Sequence, residues 1–156
     1  MVKTQACRLL DTIKISYTLH EYDWAEDALD AETVAGKLGI SPSRIFKTLV
    51  LRGDITGIFL VCIPGDRELN VKAVASVSGN KKARMILVKD LESVTGYVRG
   101  GVSPLGGKKK YPVYIDASIQ DLHWVSVSAG KRGLQIFLTS LDLIRACDAK
   151  LVSVCC

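Results

Sequence analysis

The strongest constraint on the fold is a pair of apolar runs joined by a short turn. The runs cover residues 46–52 and 58–63, and the turn between them reads Gly53-Asp54-Ile55-Thr56-Gly57. Short runs rich in branched and aromatic residues, bounded by glycine, are typical of an antiparallel hairpin. The chain is therefore expected to contain a sheet that other segments have to cover.

The remaining segments predict helices and further short strands around this hairpin. A helix is expected wherever a capping residue precedes apolar residues at helical spacing, and strands where short apolar runs lie between turn residues. Strands outnumber helices, which favours an α+β fold with a mixed, largely antiparallel central sheet flanked by helices. The predicted helices follow Thr4, run from Asp30 to Gly39, cover 70–77, lie between Asp90 and Gly96, and run from a Ser140 cap to Cys147, with a brief helical turn at Ser41-Pro42; further strands are expected at 17–22, 84–88, 113–115, 123–128 and 134–138.

Length and composition indicate one globular domain. The chain has 156 residues, of which 48% are apolar and 24% charged, without an internal repeat or a linker-like segment. We therefore expect a single domain over residues 1–156. No apolar run reaches the roughly 18–20 residues of a membrane span, and the first residues contain no apolar signal core. These features predict a cytoplasmic protein without a membrane partner.

The charge balance favours an anionic partner. The formal net charge is +5 and the sequence pI is near 9.0, which makes nucleic acid a reasonable hypothesis. The basic residues form three clusters along the chain: Lys81, Lys82 and Arg84; Lys108, Lys109 and Lys110; Lys131 and Arg132.

The segment 97–110 combines open backbone with positive charge. Gly100, Gly101, Gly106 and Gly107 let a ligand approach the main chain without meeting a Cβ, and three lysines follow them. Two interpretations stay open, a solvated surface loop and a loop that holds a carbonyl or a phosphate. The spacing comes close to a P-loop, but Gly107 stands where that motif needs lysine, so nucleotide hydrolysis is not expected.

Two further features could carry chemistry. Lys47 lies in a mainly apolar strand, where a buried ammonium needs an anionic partner, and strand periodicity places it on the face opposite Thr48. The alternative is a solvated lysine on an edge strand. The turn 128–133 offers a serine hydroxyl, free backbone donors and the guanidinium of Arg132, although it is equally compatible with an ordinary glycine hairpin turn.

The sequence contains no recognisable pair of nucleophile and base. There is no Gly-x-Ser-x-Gly motif, and His20 and His123 have no evident serine or cysteine partner. Any hydrolysis would then rest on positioning, on oriented backbone donors, and on a nucleophile supplied by water or by the substrate. With five cysteines in no C-x-x-C arrangement and two histidines, we predict no metal site and no cofactor.

Taken in order, six short motifs resemble the YbaK/prolyl-tRNA-synthetase-associated aminoacyl-tRNA deacylases, and they span nearly the whole chain. The similarity is strongest to the free-standing YbaK type, which hydrolyses cysteine mischarged onto proline tRNA. The motifs are His20-Glu-Tyr22, Leu38-Gly39, Phe46-Lys-Thr-Leu49, Leu69-Asn-Val-Lys72, Gly100-Gly-Val-Ser-Pro-Leu-Gly106 and Ser128-Ala-Gly-Lys-Arg-Gly133.

The resemblance implies a YbaK-like domain and assigns roles to particular residues. Lys47 would match the essential strand lysine that binds the tRNA 3′ end and the aminoacyl ester, and the backbone of Gly100 and Gly101 would hold the reacting carbonyl. The expected partners are mischarged tRNA and prolyl-tRNA synthetase. Candidate substrate-binding residues are Tyr22, Thr48, Ser128, Gly130, Arg132 and Gln135, and candidate tRNA-binding residues are Lys108, Lys109, Lys110 and Lys131.

In the YbaK type the thiol of the cysteine substrate is thought to attack the ester and release a thiolactone, which agrees with the missing protein nucleophile. One position departs from the family pattern, since Gln135 stands where members often carry aspartate. A neutral amide can neither act as a base nor balance a cation. Alanyl rather than cysteinyl specificity, and a non-catalytic tRNA-binding or synthetase-docking module, therefore remain alternatives.

Overall fold

The computed structural model describes residues 3–156, which form five α-helices and eight strands. The helices are α1 (Gln5–Thr12), α2 (Ala31–Leu38), α3 (Val71–Val77), α4 (Leu91–Thr95) and α5 (Ser140–Cys147). The strands are β1 (Thr18–Glu21), β2 (Phe46–Gly53), β3 (Gly57–Pro64), β4 (Ala83–Met85), β5 (Val113–Asp116), β6 (Trp124–Lys131), β7 (Leu134–Thr139) and β8 (Lys150–Val152). This architecture confirms the predicted α+β class.

The strands form two sheets, so the prediction of one central sheet is wrong. One sheet has the order β4-β2-β3-β5-β8 and the other the order β1-β7-β6. Pairing is antiparallel except for β3–β5 and β5–β8, which confirms the mixed, largely antiparallel character. The predicted hairpin is present, with β2 and β3 paired from Phe46 opposite Pro64 to Gly53 opposite Gly57.

The two sheets meet at the start of β2. Ile45 forms an isolated parallel bridge with Ser126, and the Ser126 N–H donates to the carbonyl of Arg44 at 2.8 Å. No further ladder joins β2 to β6 within residues 3–156. The cavity described below is lined by residues of β2 and by the end of β6, on either side of this junction.

Most predicted helix boundaries are confirmed by their capping contacts. The Thr4 hydroxyl accepts a hydrogen bond from the Cys7 N–H, and the Asp30 carboxylate accepts one from the Thr33 N–H. Gly39 ends α2 with φ of 70°, a conformation that glycine adopts without strain.

Three local predictions need correction. Thr139, not Ser140, caps α5 by accepting from the Asp142 N–H, because the Ser140 hydroxyl donates to the carbonyl of Leu122 instead. The segment 84–88 is a strand only as far as Met85, since pairing with β2 ends there. The Ser41-Pro42 segment, predicted to be a brief helical turn, forms a hydrogen-bonded turn. In addition, strand β8 was not predicted.

Alternate residues of β2 pack on opposite sides of the sheet. Phe46 and Val50 belong to the larger apolar core, whereas Leu49 and Leu51 face a second cluster that includes β3 residues. The Thr48 hydroxyl lies 3.6 Å from the buried Cys62 sulfur, on the side of the larger core. Alternation alone would place Lys47 on the side of Leu49 and Leu51. Lys47 nevertheless lines the cavity described below together with Thr48 and Val50.

The glycine-rich segment has a buried half and an exposed half. Ser103 and Leu105 are 2% and 0% exposed, and the Tyr97 hydroxyl donates to the Leu105 carbonyl at 2.6 Å. Lys108 and its two neighbours are exposed. Residues 103–105 are therefore fixed in the core, whereas the lysine half matches a solvated loop. No helix within residues 3–156 is long and apolar enough to cross a membrane.

The burial of Leu105 generates a stability prediction. Leu105→Ala should lower the free energy of unfolding by about 2–5 kcal/mol, because a fully buried side chain is replaced by a cavity. Leu141→Ala is the matched control, since Leu141 is 74% exposed and should change stability by less than about 0.5 kcal/mol. Urea unfolding followed by circular dichroism measures both variants. Equal losses in the two would show that Leu105 does not anchor the loop.

Candidate active site

A cavity of about 320 Å³ lies between β2, the end of β6 and the glycine-rich segment. Its volume is at the lower end of the range for small-molecule sites, and most of its wall is apolar. Six of the predicted site residues line it together, although they come from five separate parts of the chain: Tyr22, Lys47, Thr48, Gly100, Ser128 and Gln135.

Lys47 is held at the edge of this cavity by the β2–β3 pairing. Its side chain is half-buried, and Nζ donates to the carbonyl of Gly65 over a long 3.5 Å. No carboxylate lies within salt-bridge distance of Nζ among residues 3–156. The ammonium therefore keeps donor capacity for an anionic or carbonyl group of a ligand.

Asp30 is an acidic residue on the same cavity wall, at the N-terminus of α2. Hydrogen bonds from the Thr33 hydroxyl at 2.7 Å and the Thr33 N–H at 3.0 Å, together with the nearby charge of Lys47, hold the pKa of the Asp30 carboxyl below its ordinary value. The carboxylate is consequently charged at neutral pH. A cation–anion pair of residues thus flanks the cavity entrance.

Gly100 brings main chain directly to the cavity wall. Its φ is +84°, and a Cβ at this position would lie 3.0 Å from the Leu29 side chain. Only glycine fits this conformation and this approach without strain. The Gly100 N–H donates to no protein acceptor within residues 3–156, and it is therefore available to a ligand.

Ser128 and Gln135 line the cavity from paired positions on β6 and β7. The Ser128 hydroxyl oxygen accepts from the Gly130 N–H at 3.1 Å, which leaves its own proton free to donate. Buried Gln135 accepts from the Ser126 hydroxyl at 2.7 Å through Oε1. These contacts hold neutral donors at the cavity wall. His20 lies opposite Gln135 on β1 but does not line the cavity.

No thiol or imidazole lines the cavity within the described residues. Cys62 lies behind Thr48 and is fully buried, and this burial raises the pKa of its thiol to about 12. A thiol with this pKa is almost entirely protonated at neutral pH and is a poor nucleophile. Among residues 3–156 no three His, Cys, Asp or Glu side chains cluster in a way that could hold a metal ion.

Three predicted site residues, Gly101, Gly130 and Arg132, do not line the cavity. A Cβ on Gly101 would lie 3.1 Å from the Arg132 nitrogen, and a Cβ on Gly130 would lie 2.6 Å from the Tyr97 ring. Gly101 thus lets two backbone segments pack closely, and Gly130 leaves room for the Tyr97 ring. Arg132 donates through Nε to the carbonyl of Arg99 at 2.8 Å and so ties the 128–133 turn to the glycine-rich segment.

The predicted tRNA-binding lysines lie outside the cavity. Lys131 lines a neighbouring open groove together with Arg132. Lys109 and Lys110 line a different cavity beneath the glycine-rich segment, and Lys108 is exposed beside Gly96. The sequence analysis missed two cavity residues, Asp30 and Arg99, because a capping aspartate and a loop arginine carry no pattern that separates them from structural residues.

The comparisons with known proteins agree with this geometry. The model of the family described as the aminoacyl-tRNA editing domain matches residues 25–146. The chain is 51% identical to the Enterococcus faecalis protein named "Putative Cys-tRNA(Pro)/Cys-tRNA(Cys) deacylase EbsC", over 87% of this chain and 83% of that protein. It is 30% identical to a proline–tRNA ligase of Sulfurihydrogenibium over 76% of this chain, a match that covers 21% of the ligase.

A solved structure shows the same fold. It belongs to a protein described as "a putative trans-editing enzyme for prolyl tRNA synthetase", and it superposes with a TM-score of 0.82 at 20% identity, covering 99% of each chain. The resemblance indicated by the ordered motifs is confirmed. The chain belongs to the aminoacyl-tRNA editing domain family.

Proposed function

We propose that this chain is a trans-editing deacylase that cleaves the ester bond of mischarged tRNA, with Cys-tRNA(Pro) as its main substrate. The observation that carries the proposal is the cavity in which Lys47, free donors and an apolar wall meet without a protein nucleophile. The 51% identity to a relative named for this activity supports it. We further propose that residues 1–156 act as one domain in the cytoplasm, with prolyl-tRNA synthetase as a partner.

The dimensions of the cavity support a small aminoacyl group. A volume of about 320 Å³ lined by Val34, Phe46 and Val50 accepts a short apolar or polarisable side chain more readily than a charged one. Cysteine and alanine both meet this condition. Lys47, at the edge of the cavity, is then available to the phosphate or ribose oxygens of the terminal nucleotide.

The missing protein nucleophile favours attack by the substrate's own sulfur. The cysteinyl sulfur forms a bond to its own carbonyl carbon as the ester C–O bond to the ribose breaks, and the thiol proton passes to the ribose oxygen. Water then opens the thiolactone that leaves. The Ser128 hydroxyl and the Gly100 N–H are available donors for the negative charge that develops on the carbonyl oxygen.

Alanine is a second candidate because it fits the same cavity. Alanyl ester has no sulfur, so its cleavage would require a bound water in place of the substrate thiol. Gln135 offers no carboxylate to activate that water, and the Asp30 carboxylate on the same wall is already engaged by the Thr33 hydroxyl and N–H, which favours the cysteinyl substrate.

The first prediction concerns Lys47. Lys47→Ala should lower kcat/KM for deacylation of Cys-tRNA(Pro) by at least about 100-fold, because it removes the ammonium that meets the tRNA end and the ester. Lys150→Ala is the matched control, since Lys150 is exposed on β8 at the far edge of the five-stranded sheet. Thermal unfolding checks that both variants stay folded. If the folded Lys47→Ala variant kept the native rate of deacylation, the reaction would have to take place at another site.

The second prediction concerns the amino acid. Proline tRNA charged with cysteine, serine or alanine should be deacylated fast only when cysteine is present. Serine preserves the shape but replaces the attacking sulfur by a much weaker nucleophile at neutral pH. Release of labelled amino acid measures the three rates. Equal rates for cysteine and serine would contradict attack by the substrate thiol, and a faster rate for alanine would assign the enzyme to that substrate instead.

The third prediction concerns the lysine cluster. Changing Lys108, Lys109 and Lys110 to glutamate should weaken tRNA binding by at least about tenfold, and native binding should weaken as salt rises, because these exposed lysines contact phosphates. The charge-matched control is glutamate at Lys14, Lys89 and Lys150, three exposed lysines outside the basic clusters and the family motifs. Both triple variants change the formal net charge from +5 to −1. A filter-binding assay that shows equal losses would assign the effect to net charge alone.

A further inference from the structure

Beside the catalytic cavity lies an open groove with an aromatic side chain at its centre. The groove has a volume of about 840 Å³ and is lined by the end of β1, the residues that follow it and the β6–β7 turn. Trp24 is 47% exposed within it. Tyr22 lines both the groove and the catalytic cavity, so the two spaces are adjacent.

The segment that carries Trp24 is held by two hydrogen bonds, and the indole itself lies against Gly133. The Tyr22 N–H donates to the Gly133 carbonyl at 3.0 Å, and Lys37 Nζ donates to the Asp23 carbonyl at 2.6 Å. A Cβ on Gly133 would lie 2.7 Å from Trp24 Cδ1, so this glycine lets the indole lie against the turn. An exposed indole whose backbone and one edge are fixed gives a pre-organised stacking surface.

The charge around the indole is mixed. The Arg132 guanidinium lies 5.2 Å from the Trp24 ring centroid, and Lys37 and Lys131 add two further cations. Glu21 and Asp23 on the same groove offset most of this charge. A surface of this kind favours stacking with a flat ring over attraction to many phosphates.

We propose that Trp24, together with Arg132, is the stacking platform for the unpaired bases at the 3′ end of the tRNA. This assignment rests on the proposed function. An aminoacyl group in the cavity is attached to the terminal ribose, so the adjoining bases must lie just outside the cavity entrance. The groove adjoins the cavity at Tyr22 and presents there an aromatic and a guanidinium plane, the two groups on which single-stranded bases stack.

The experiment uses the two tryptophans of the chain. Trp124→Phe leaves Trp24 as the single fluorescent indole. This change leaves the groove intact because Trp124 lies away from it, stacked on Phe137. The ribotetramer ACCA should quench this fluorescence, whereas a tetramer of the same ribose-phosphate backbone without bases should not. In the native background, Trp24→Ala should weaken ACCA binding about tenfold, and Trp24→Phe, which keeps a ring, by no more than about threefold. Quenching by both tetramers, or unchanged affinity in Trp24→Ala, would overturn the proposal.

Deacylation kinetics separate this proposal from the proposed function. Trp24→Ala should raise KM for Cys-tRNA(Pro) about tenfold and leave kcat within about twofold, because stacking contributes to binding of the tRNA end and not to the chemical step. A native protein that binds ACCA but does not deacylate would refute the proposed function and retain the platform. Lys47-dependent deacylation with an unchanged KM in Trp24→Ala would refute the platform and retain the function.

Discussion

The contact on which the site depends is the single bridge between Ile45 and Ser126. It brings the start of β2 against β6, after which the strands pair with different neighbours. A continuous ladder between β2 and β6 would have closed the space between Thr48 and Ser128. Because only one bridge forms, the two sheets pack against each other through the larger apolar core and leave a small cavity beside the bridge.

The wall of this cavity supplies charge and hydrogen-bond donors but no nucleophilic side chain. Lys47 provides a cation, while Ser128 and Gly100 provide donors without protein acceptors. The buried thiol behind the wall is kept protonated by its high pKa. In the mechanism proposed above the substrate supplies the nucleophile, and the identity of the substrate then decides whether the reaction proceeds. Selectivity and catalysis would then depend on the same sulfur atom.

Much of the fold could be predicted from local patterns. The β2–β3 hairpin and the starts of α1 and α2 follow from alternation and from capping side chains, which act over a few residues. Ser140 shows where such reasoning fails. Its hydroxyl bonds to the Leu122 carbonyl, which is distant in sequence, and Thr139 takes over the cap. The division into two sheets was missed for the same reason, since strand partners are chosen by contacts between distant segments.

The sequence by itself determined the family, the mixed α+β class and the residue types that the site has at its disposal, because ordered motifs, periodicity and composition are all present in the linear chain. Only the tertiary structure decided which of these residues share a wall. It placed Gly100 on the cavity and Gly101 outside its lining, although they are neighbours, because a positive φ at Gly100 turns the backbone between them. It also brought Asp30 near Lys47 and left Trp24 exposed beside the cavity. Proximity across a sheet depends on how strands pair and packed elements turn, and no local pattern encodes it.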